Sequence, residues 1–141
     1  MGSVEKCGRF NEEHVVTDEE FVFYKNEVVK SNGFDVPSMP DVSAFHMIQP
    51  CNLNRESEYI LFQKYSQLAI DKYHRRFEDT SAKLELVKVL KTMSIVLDIV
   101  RYFITFEAKD LADGGKIKTY QAVVRLDVFG GVGVVFQAEA Y

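Results

Sequence analysis

The sequence contains no tryptophan, and it has only two cysteines, Cys7 and Cys51, among 141 residues. A secreted domain of this size more often carries four or six cysteines, so we interpret the two as free thiols in a reducing compartment. The chain also lacks an apolar run of about 18 residues and a signal-peptide pattern at its N-terminus, so no membrane span or membrane partner is predicted. We therefore expect an intracellular protein, cytoplasmic or nuclear.

Positive charge is scarce as well. The chain has 17 Lys and Arg residues against 21 Asp and Glu residues, which gives a net charge of −4. The acidic excess lies in residues 1–50, whose net charge is −5, whereas residues 51–141 carry +1. Neither part has the basic excess with which proteins follow a phosphate backbone. Nucleic acid is therefore not an expected partner.

Residues with catalytic or metal-binding chemistry are few and scattered. His14, His46 and His74 lie far apart, and neither cysteine belongs to a CxxC or Cys/His pattern. A metal site needs ligands that converge, and nothing in this spacing predicts that. The glycine-rich segment 130–133 follows a strand pattern and precedes another, so it indicates a turn rather than a phosphate-binding loop before a helix. We expect no catalytic residue, metal or cofactor, and hence no enzyme.

The N-terminal third predicts a tail, a helix and a linker. Residues 1–16 are polar and predict a mobile tail. Residues 17–20 form a capping box, with Thr17 as the N-cap and Glu20 reaching back, and apolar residues at helical spacing follow it. Ser31-Asn32-Gly33 ends the helix, with Gly33 suited to a left-handed cap. The linker reaches residue 53, contains all three prolines and alternates apolar with polar residues, so we expect it to lie against the core.

The strongest helical pattern of the chain covers residues 54–77. At about 100° per residue one broad arc holds Tyr59, Leu61, Phe62, Tyr65, Leu68, Ala69, Tyr73 and Phe77. The opposite side holds Gln63, Lys64, Gln67, Asp71, His74 and Arg75. The apolar arc is typical of a helix that packs against a sheet.

After about residue 83 the apolar period changes to two, which is typical of strands. The predicted strands are 84–91, 95–109, 116–129 and 132–141, with turns at Asp113-Gly114-Gly115 and at Gly130-Gly131. A long amphipathic helix followed by a meander buries both apolar faces when the sheet wraps across the helix. The prediction is an α+β domain over residues 54–141 with a long helix on a curved four-stranded antiparallel sheet, preceded by an extra N-terminal helix within 17–53.

Three segments of this domain resemble the plant branch of the cystatin superfamily, which shares its fold with monellin. Segment 67–74 is similar to the plant cystatin helix pattern Arg-Phe-Ala-Val-Asp-Glu-His-Asn. Segment 102–108, Tyr-Phe-Ile-Thr-Phe-Glu-Ala, resembles the family strand Tyr-Tyr-Leu-Thr-Leu-Glu-Ala. Segment 114–124, Gly-Gly-Lys-Ile-Lys-Thr-Tyr-Gln-Ala-Val-Val, resembles the strand Gly-Gly-x-x-Lys-x-Tyr-Glu-Ala-x-Val. The order and spacing of the three segments are kept.

The upstream segments 31–36 and 39–45 are not found in ordinary plant cystatins. They resemble a plant-only family of uncharacterised cystatin-like proteins, some of which are associated with embryo or pollen development. That family is the closer resemblance.

The resemblance implies that the sequence can be checked for the motifs with which cystatins inhibit proteases. Cystatins inhibit papain-like cysteine proteases with an N-terminal glycine segment, a Gln-x-Val-x-Gly hairpin and a Pro-Trp hairpin. The first hairpin motif falls on Ile95-Val96-Leu97-Asp98-Ile99, where Ile95 and Ile99 replace Gln and Gly; the second falls on Val128-Phe129, without tryptophan. A β-branched residue is disfavoured where a turn needs φ > 0. If each lost anchor is worth about 2 kcal/mol, losing two weakens binding roughly a thousandfold.

We therefore predict a non-catalytic, cystatin-like protein-interaction module with an unidentified protein partner. Its candidate contact residues are Ile95, Val96, Leu97, Asp98, Ile99, Val128 and Phe129. The alternative is a weak or unconventional inhibitor of a papain-like cysteine protease that uses the same residues. The last strand is apolar and uncharged until Glu139, so a homodimer or a domain swap through it is a further expectation.

Overall fold

The structure, a computed structural model, describes residues 15–38, 47–76, 83–97, 99–127 and 131–139, except for the side chains of 76 and 135–139. The helices are α1 (Asp18–Ser31) and α2 (Glu56–Arg76). The strands are β1 (Gln49–Pro50), β2 (Leu84–Val96), β3 (Val100–Asp110), β4 (Lys116–Leu126) and β5 (Val132–Glu139). A short 3₁₀ turn, Leu111–Asp113, lies between β3 and β4. The described fold is α+β, with two helices packed on one antiparallel sheet.

The first helix begins where its sequence predicts. The Thr17 side chain accepts the Glu20 N–H, and the Glu20 carboxylate accepts the Thr17 N–H, which completes the capping box. At the other end it is Asn32, with φ of 55°, that occupies the left-handed C-cap, and Gly33 follows with φ of 87°. The prediction assigned this conformation to Gly33 alone. Asparagine tolerates it because its short polar side chain can bond locally.

The sheet has five strands in the order β1-β2-β3-β4-β5, so the prediction of four strands was wrong. The additional strand is β1, which pairs antiparallel with Ser94 and Met93 at the outer edge of β2. The Cys51 N–H also donates to the Thr92 carbonyl. A two-residue strand that contains a proline gives no alternating pattern, and proline is tolerated there because β1 is an edge strand.

The strand boundaries also differ from the prediction. The apolar run 95–109 is not one strand, because β2 continues to Val96 and β3 begins at Val100. A turn separates them, and it falls on the segment Ile95–Ile99 to which the cystatin resemblance assigned the first hairpin, although the apolar pattern alone did not indicate it. The strand predicted over 116–129 ends at Leu126. Val128, Phe129 and Gly130 lie outside the described residues.

Helix α2 packs on one face of the sheet, which we call the α2 face. The helix contacts both outer long strands: the Val89 N–H in β2 donates to the Tyr59 hydroxyl, and the Lys72 ammonium donates to the Val134 carbonyl in β5. The sheet therefore curves around the helix. The buried side chains of α2 are Phe62, Tyr65, Ser66, Ala69 and Ile70.

One residue on the polar side of α2 has a structural partner. The sequence assigned His74 to the solvent side, but its Nε2 accepts the Leu84 N–H at 2.8 Å. This bond ties the last turn of α2 to the start of β2. The imidazole thus accepts a backbone N–H from a part of β2 with which β1 does not pair.

The opposite face of the sheet, which we call the α1 face, packs against α1 and the segment that follows it. A second apolar cluster joins Tyr24 of α1 and Val36 and Met47 of the linker to Met93 of β2. Phe34 contacts the ring of Phe103 edge-on, with ring centroids 5.5 Å apart. The sheet therefore lies between α2 and the α1 segment, in three layers.

Candidate functional site: the hairpin end of the sheet

Two turns lie at the same end of the sheet. One connects β2 to β3 at residues 97–99, and the other connects β4 to β5 at residues 127–131. The β3–β4 connection lies at the opposite end, because consecutive antiparallel strands turn at alternate ends. Neighbouring strands are about 4.8 Å apart, which places the two turns roughly 10 Å from each other. We call this end the hairpin end, and it contains both segments that the sequence singled out.

The first turn closes tightly without a glycine. Val96 and Val100 are directly opposite each other, and the Leu97 N–H donates to the Ile99 carbonyl at 3.0 Å. Among the described residues, Asn32 is the only non-glycine residue with positive φ, so Ile99 adopts an ordinary backbone conformation. The expected conflict between its β-branched side chain and the turn therefore does not arise. Asp98, at the tip, lies outside the described residues.

An apolar rim lines the hairpin end. The strand register aligns Val96, Val100, Leu126 and Val132 across β2, β3, β4 and β5 on the α2 face. Val96, Leu97 and Val132 are 50%, 46% and 46% exposed, and these three residues form what we call the apolar rim. Val100 and Leu126, which lie between Val96 and Val132 in this row, are half-buried.

The second turn is held by its own aspartate. The Asp127 N–H donates to the Gly131 carbonyl at 3.0 Å, and the Gly131 N–H donates to Asp127 Oδ1 at 2.7 Å. A Cβ at Gly131 would meet the Asp127 carboxylate, so a larger residue there would require this side chain to move. The candidate residues Val128 and Phe129 fall between these two anchors, outside the described residues.

Ile95 belongs to a different row from the apolar rim. Its opposite residue is Arg101, which in turn is opposite Arg125, and Arg125 is opposite Gly133. Side chains alternate between the faces of a strand, so this row lies on the α1 face, one step in from the rim. The structure thus places Val96 and Leu97 in the exposed rim, and it places Ile95, which is half-buried, behind them.

An aromatic cluster supports the hairpin end from the α2 face. Tyr102 of β3 stacks on Tyr65 at a centroid distance of 5.8 Å and meets Phe62 edge-on at 5.0 Å. Burial raises the pKa of the Tyr102 hydroxyl. The Tyr102 ring is thus in contact with two aromatic rings of α2, and these contacts fix β3 relative to the helix. The β2–β3 turn therefore adjoins a strand that is packed on α2 through aromatic rings.

The one cysteine among the described residues lies beside this cluster. Cys51 is a half-buried free thiol. Burial raises the pKa of its thiol, although a hydrogen bond from Ser94 acts in the opposite direction. The thiolate is the nucleophilic form, so a raised pKa disfavours reactivity at neutral pH. Cys51 is thus a packing residue of the β1–β2 edge.

The opposite end of the sheet is neutralised by ion pairs. Lys118 Nζ lies 3.0 Å from an Asp110 carboxylate oxygen and 2.9 Å from one of Asp113. The hydrogen bond from Lys118 lowers the pKa of Asp113. Leu111 and Ile117 are 49% and 55% exposed there, which matches the exposure of the apolar rim. This end therefore offers matched positions for control substitutions.

Other kinds of site are not formed by the part of the chain that the structure describes. Within it no three His, Cys, Asp or Glu side chains come together as metal ligands. No helix in the same ranges is both long enough and apolar enough to cross a membrane. His14 and His46, like Cys7, lie outside these ranges.

Sequence reasoning missed the cross-strand arginines. Arg101 and Arg125 are 24 positions apart, and nothing in their local sequence connects them. The only available signal was the pairing register of two strands, which requires the exact position of the turn between them.

Comparison of the chain with protein-family models gave no match, and comparison with curated protein sequences gave none either.

Proposed function

We propose that this protein is a non-catalytic, cystatin-like interaction module that binds a protein partner with the hairpin end of its sheet. The observation that carries the proposal is that Val96, Leu97 and Val132 are all exposed at the same end of the sheet, next to its two turns. The curved antiparallel sheet around a long helix supports the cystatin-like assignment, and so do the three sequence segments that resemble cystatins.

The chemistry and packing near the hairpin end favour binding over catalysis. The rim residues are aliphatic, the nearby thiol of Cys51 has a raised pKa, and the stacked tyrosines hold the strands in place. Preorganised apolar tips lose little conformational freedom when they meet a partner. The central residues of such a contact are expected to supply most of its binding energy.

The experiment compares matched substitutions at the two ends of the sheet. Leu97→Asp and Val132→Asp alter the rim, whereas Leu111→Asp and Ile117→Asp alter residues of similar exposure at the opposite end. Proteins captured from lysate of the source cells are identified by mass spectrometry for the wild type and each variant. We expect one set of proteins to be captured by the wild type and both controls, and to be lost with both rim variants. Capture that is equal in all five samples, or that is lost with the controls, refutes the proposal.

A weak or unconventional inhibitor of papain-like cysteine proteases is the second candidate. It is favoured by one observation: the two turns that carry Ile95–Ile99 and Val128–Phe129 lie at one end of the sheet, as a two-hairpin wedge requires. Titration of papain with the chain separates the candidates. Inhibition at nanomolar concentration replaces the first proposal with the second, and no inhibition at high micromolar concentration removes the inhibitor.

The outer edge of β5 is a separate place for association. β5 is the last strand of the sheet order, and it carries no charged residue before Glu139. The other edge is protected, because β2 has two bulges, between Leu86 and Lys88 and between Val89 and Lys91. We propose β5 as the site of a homodimer or a domain swap. Sedimentation equilibrium tests this directly, and a monomer at high micromolar concentration refutes it.

A further inference from the structure

Two arginines are directly opposite each other near the hairpin end. Arg101 of β3 and Arg125 of β4 are register partners on the α1 face. Opposite residues of an antiparallel pair have Cβ atoms about 5 Å apart, and like charges at this spacing destabilise the sheet. We call these residues the arginine pair. A repulsive arrangement of this kind calls for an explanation beyond folding.

The lysines of the same strands are neutralised, whereas the arginine pair is not. Each lysine of β2, β3 and β4 has a carboxylate oxygen within 4.0 Å; these are Lys88, Lys91, Lys109, Lys116 and Lys118. Neither Arg101 nor Arg125 has an ion-pair partner among the residues that the structure describes. The sheet therefore presents two guanidinium groups whose charge is uncompensated at a single place.

The hydrogen-bonding capacity of the pair is also unused. The Nε atom of Arg101 is buried and has no hydrogen-bond partner in the described structure. Arg125 is exposed, and its guanidinium extends over Gly133, where an added Cβ would lie 3.6 Å from Nη2. Gly133 thus gives the Arg125 side chain room to lie across β5. A guanidinium offers several N–H donors in a fixed plane, and these match the two oxygens of a carboxylate.

We propose that Arg101 and Arg125 bind the carboxylates of an acidic segment of the protein partner, whose apolar residues contact the rim. This inference rests on the proposed function and specifies the chemistry of the partner. The pair lies one row behind Val96 and Val132 and on the other face of the sheet, so the segment has to cross the hairpin end from the α2 face to the α1 face in order to contact both. The net charge of −4 disfavours a long polyanion such as nucleic acid, whereas residues 51–141, which include the arginine pair, carry +1.

The test uses the full chain labelled with ¹⁵N and follows the arginine Nε–Hε signals by NMR. The probe is an acetylated and amidated peptide of sequence Leu-Glu-Glu-Leu-Glu-Glu, and the control peptide has Gln at each Glu position. We expect the Glu peptide to shift the Arg101 and Arg125 signals and the Gln peptide to leave them unchanged. Equal effects of the two peptides overturn the proposal. Inorganic phosphate that shifts the signals at the same concentration of charge also overturns it, since the pair would then be a general anion site.

Substitutions give an independent readout of the same binding. Arg125→Gln and Arg101→Gln are each expected to weaken binding of the Glu peptide at least tenfold, whereas Lys109→Gln on the same face of β3 leaves it unchanged. Thermal unfolding confirms that each variant is folded, and Arg125→Gln decides the matter if the half-buried Arg101 is needed for folding. Lys109→Gln that weakens binding as much as Arg125→Gln refutes the proposal.

The two proposals fail in different ways. If Leu97→Asp abolishes capture of partner proteins and both arginine variants retain it, the proposed function stands and the acidic segment is wrong. If the arginine variants lose the Glu peptide while Leu97→Asp leaves protein capture unchanged, the arginine pair binds carboxylates and the hairpin end is not the interaction surface.

Discussion

Replacement of Gly33 by alanine tests whether the α1 segment is docked on the sheet. Gly33 has φ of 87°, a conformation that costs an L-residue about 1–2 kcal/mol. A Cβ added there would lie 3.2 Å from Ile48 Cδ1 and 3.2 Å from Phe103 Cε2. Forcing extra volume into a packed site costs roughly a further 1–3 kcal/mol. We therefore expect Gly33→Ala to lower the free energy of unfolding by about 3 kcal/mol.

Gly114→Ala is a matched control for this substitution. Gly114 has φ of 67°, and no atom lies within 4 Å of its added Cβ. Gly114→Ala therefore introduces only backbone strain, which lowers the free energy of unfolding by about 1 kcal/mol. For a domain of this size 1 kcal/mol corresponds to roughly 4 °C in Tm, so the two variants should differ by about 8 °C in thermal unfolding. Urea titration measures the same difference between the two variants as a free energy of unfolding.

Equal destabilisation by the two variants would refute the packing of the α1 segment on Phe103. A double mutant sharpens the result, because Phe103→Leu shortens one of the two side chains that the new Cβ meets. We expect the combined loss of Gly33→Ala and Phe103→Leu to be smaller than the sum of the single losses by about 1 kcal/mol. Additivity would show that the two positions are not in contact.

Two further predictions concern buried polar groups. Tyr24→Phe removes the acceptor of the Ile48 N–H, a bond of 2.7 Å, and leaves that donor unpaired; urea unfolding should show a loss of about 1 kcal/mol, and an unchanged midpoint would contradict the contact. In a Cys7→Ser background, burial raises the Cys51 pKa, so labelling by Ellman's reagent at pH 8 should be slower in the folded than in the urea-unfolded chain, and Ser94→Ala should slow it further. Equal rates in the folded and unfolded chains would contradict this second prediction.

Local signals in the sequence were sufficient for the helices. The Thr17–Glu20 capping box needs only residues three apart, and the α2 pattern needs only side chains within two turns. Both therefore survive in the folded chain with boundaries within two residues of the prediction. The apolar face of α1 was less predictable: Tyr24 is buried, whereas Phe21 is exposed with its ring beside the Lys25 ammonium. The sequence contains no signal for which of these aromatic residues meets Met93 across 69 positions of chain.

The sheet required information that is not local. The sequence predicted the β3–β4 turn, because Gly114 and Gly115 both adopt positive φ there. Periodicity missed the β2–β3 turn, because Ile95–Val100 is apolar on both sides of Asp98 and the turn uses no glycine, whereas the cystatin resemblance placed a hairpin on Ile95–Ile99. It also missed β1, which exists only because its backbone completes the outer edge of β2 beside Ser94. The candidate contact residues could be named from the resemblance, but their division into an exposed rim and a half-buried Ile95 follows from the register alone.

The distribution of packing bears on the proposal that the hairpin end binds a partner. α2 covers one face of the sheet, and the α1 segment contacts the other through Phe34 and Val36, so side chains of the strands are largely committed to two apolar clusters. The opposite end is compensated by the Lys118 ion pairs. Both ends have exposed aliphatic side chains, but only at the hairpin end do they lie within two rows of arginines that have no ion-pair partner among the described residues, with the arginines on the other face of the sheet. A fold needs neither feature for its own stability, and the repulsion within the arginine pair opposes it. This is the physical reason for proposing a partner with apolar and acidic groups.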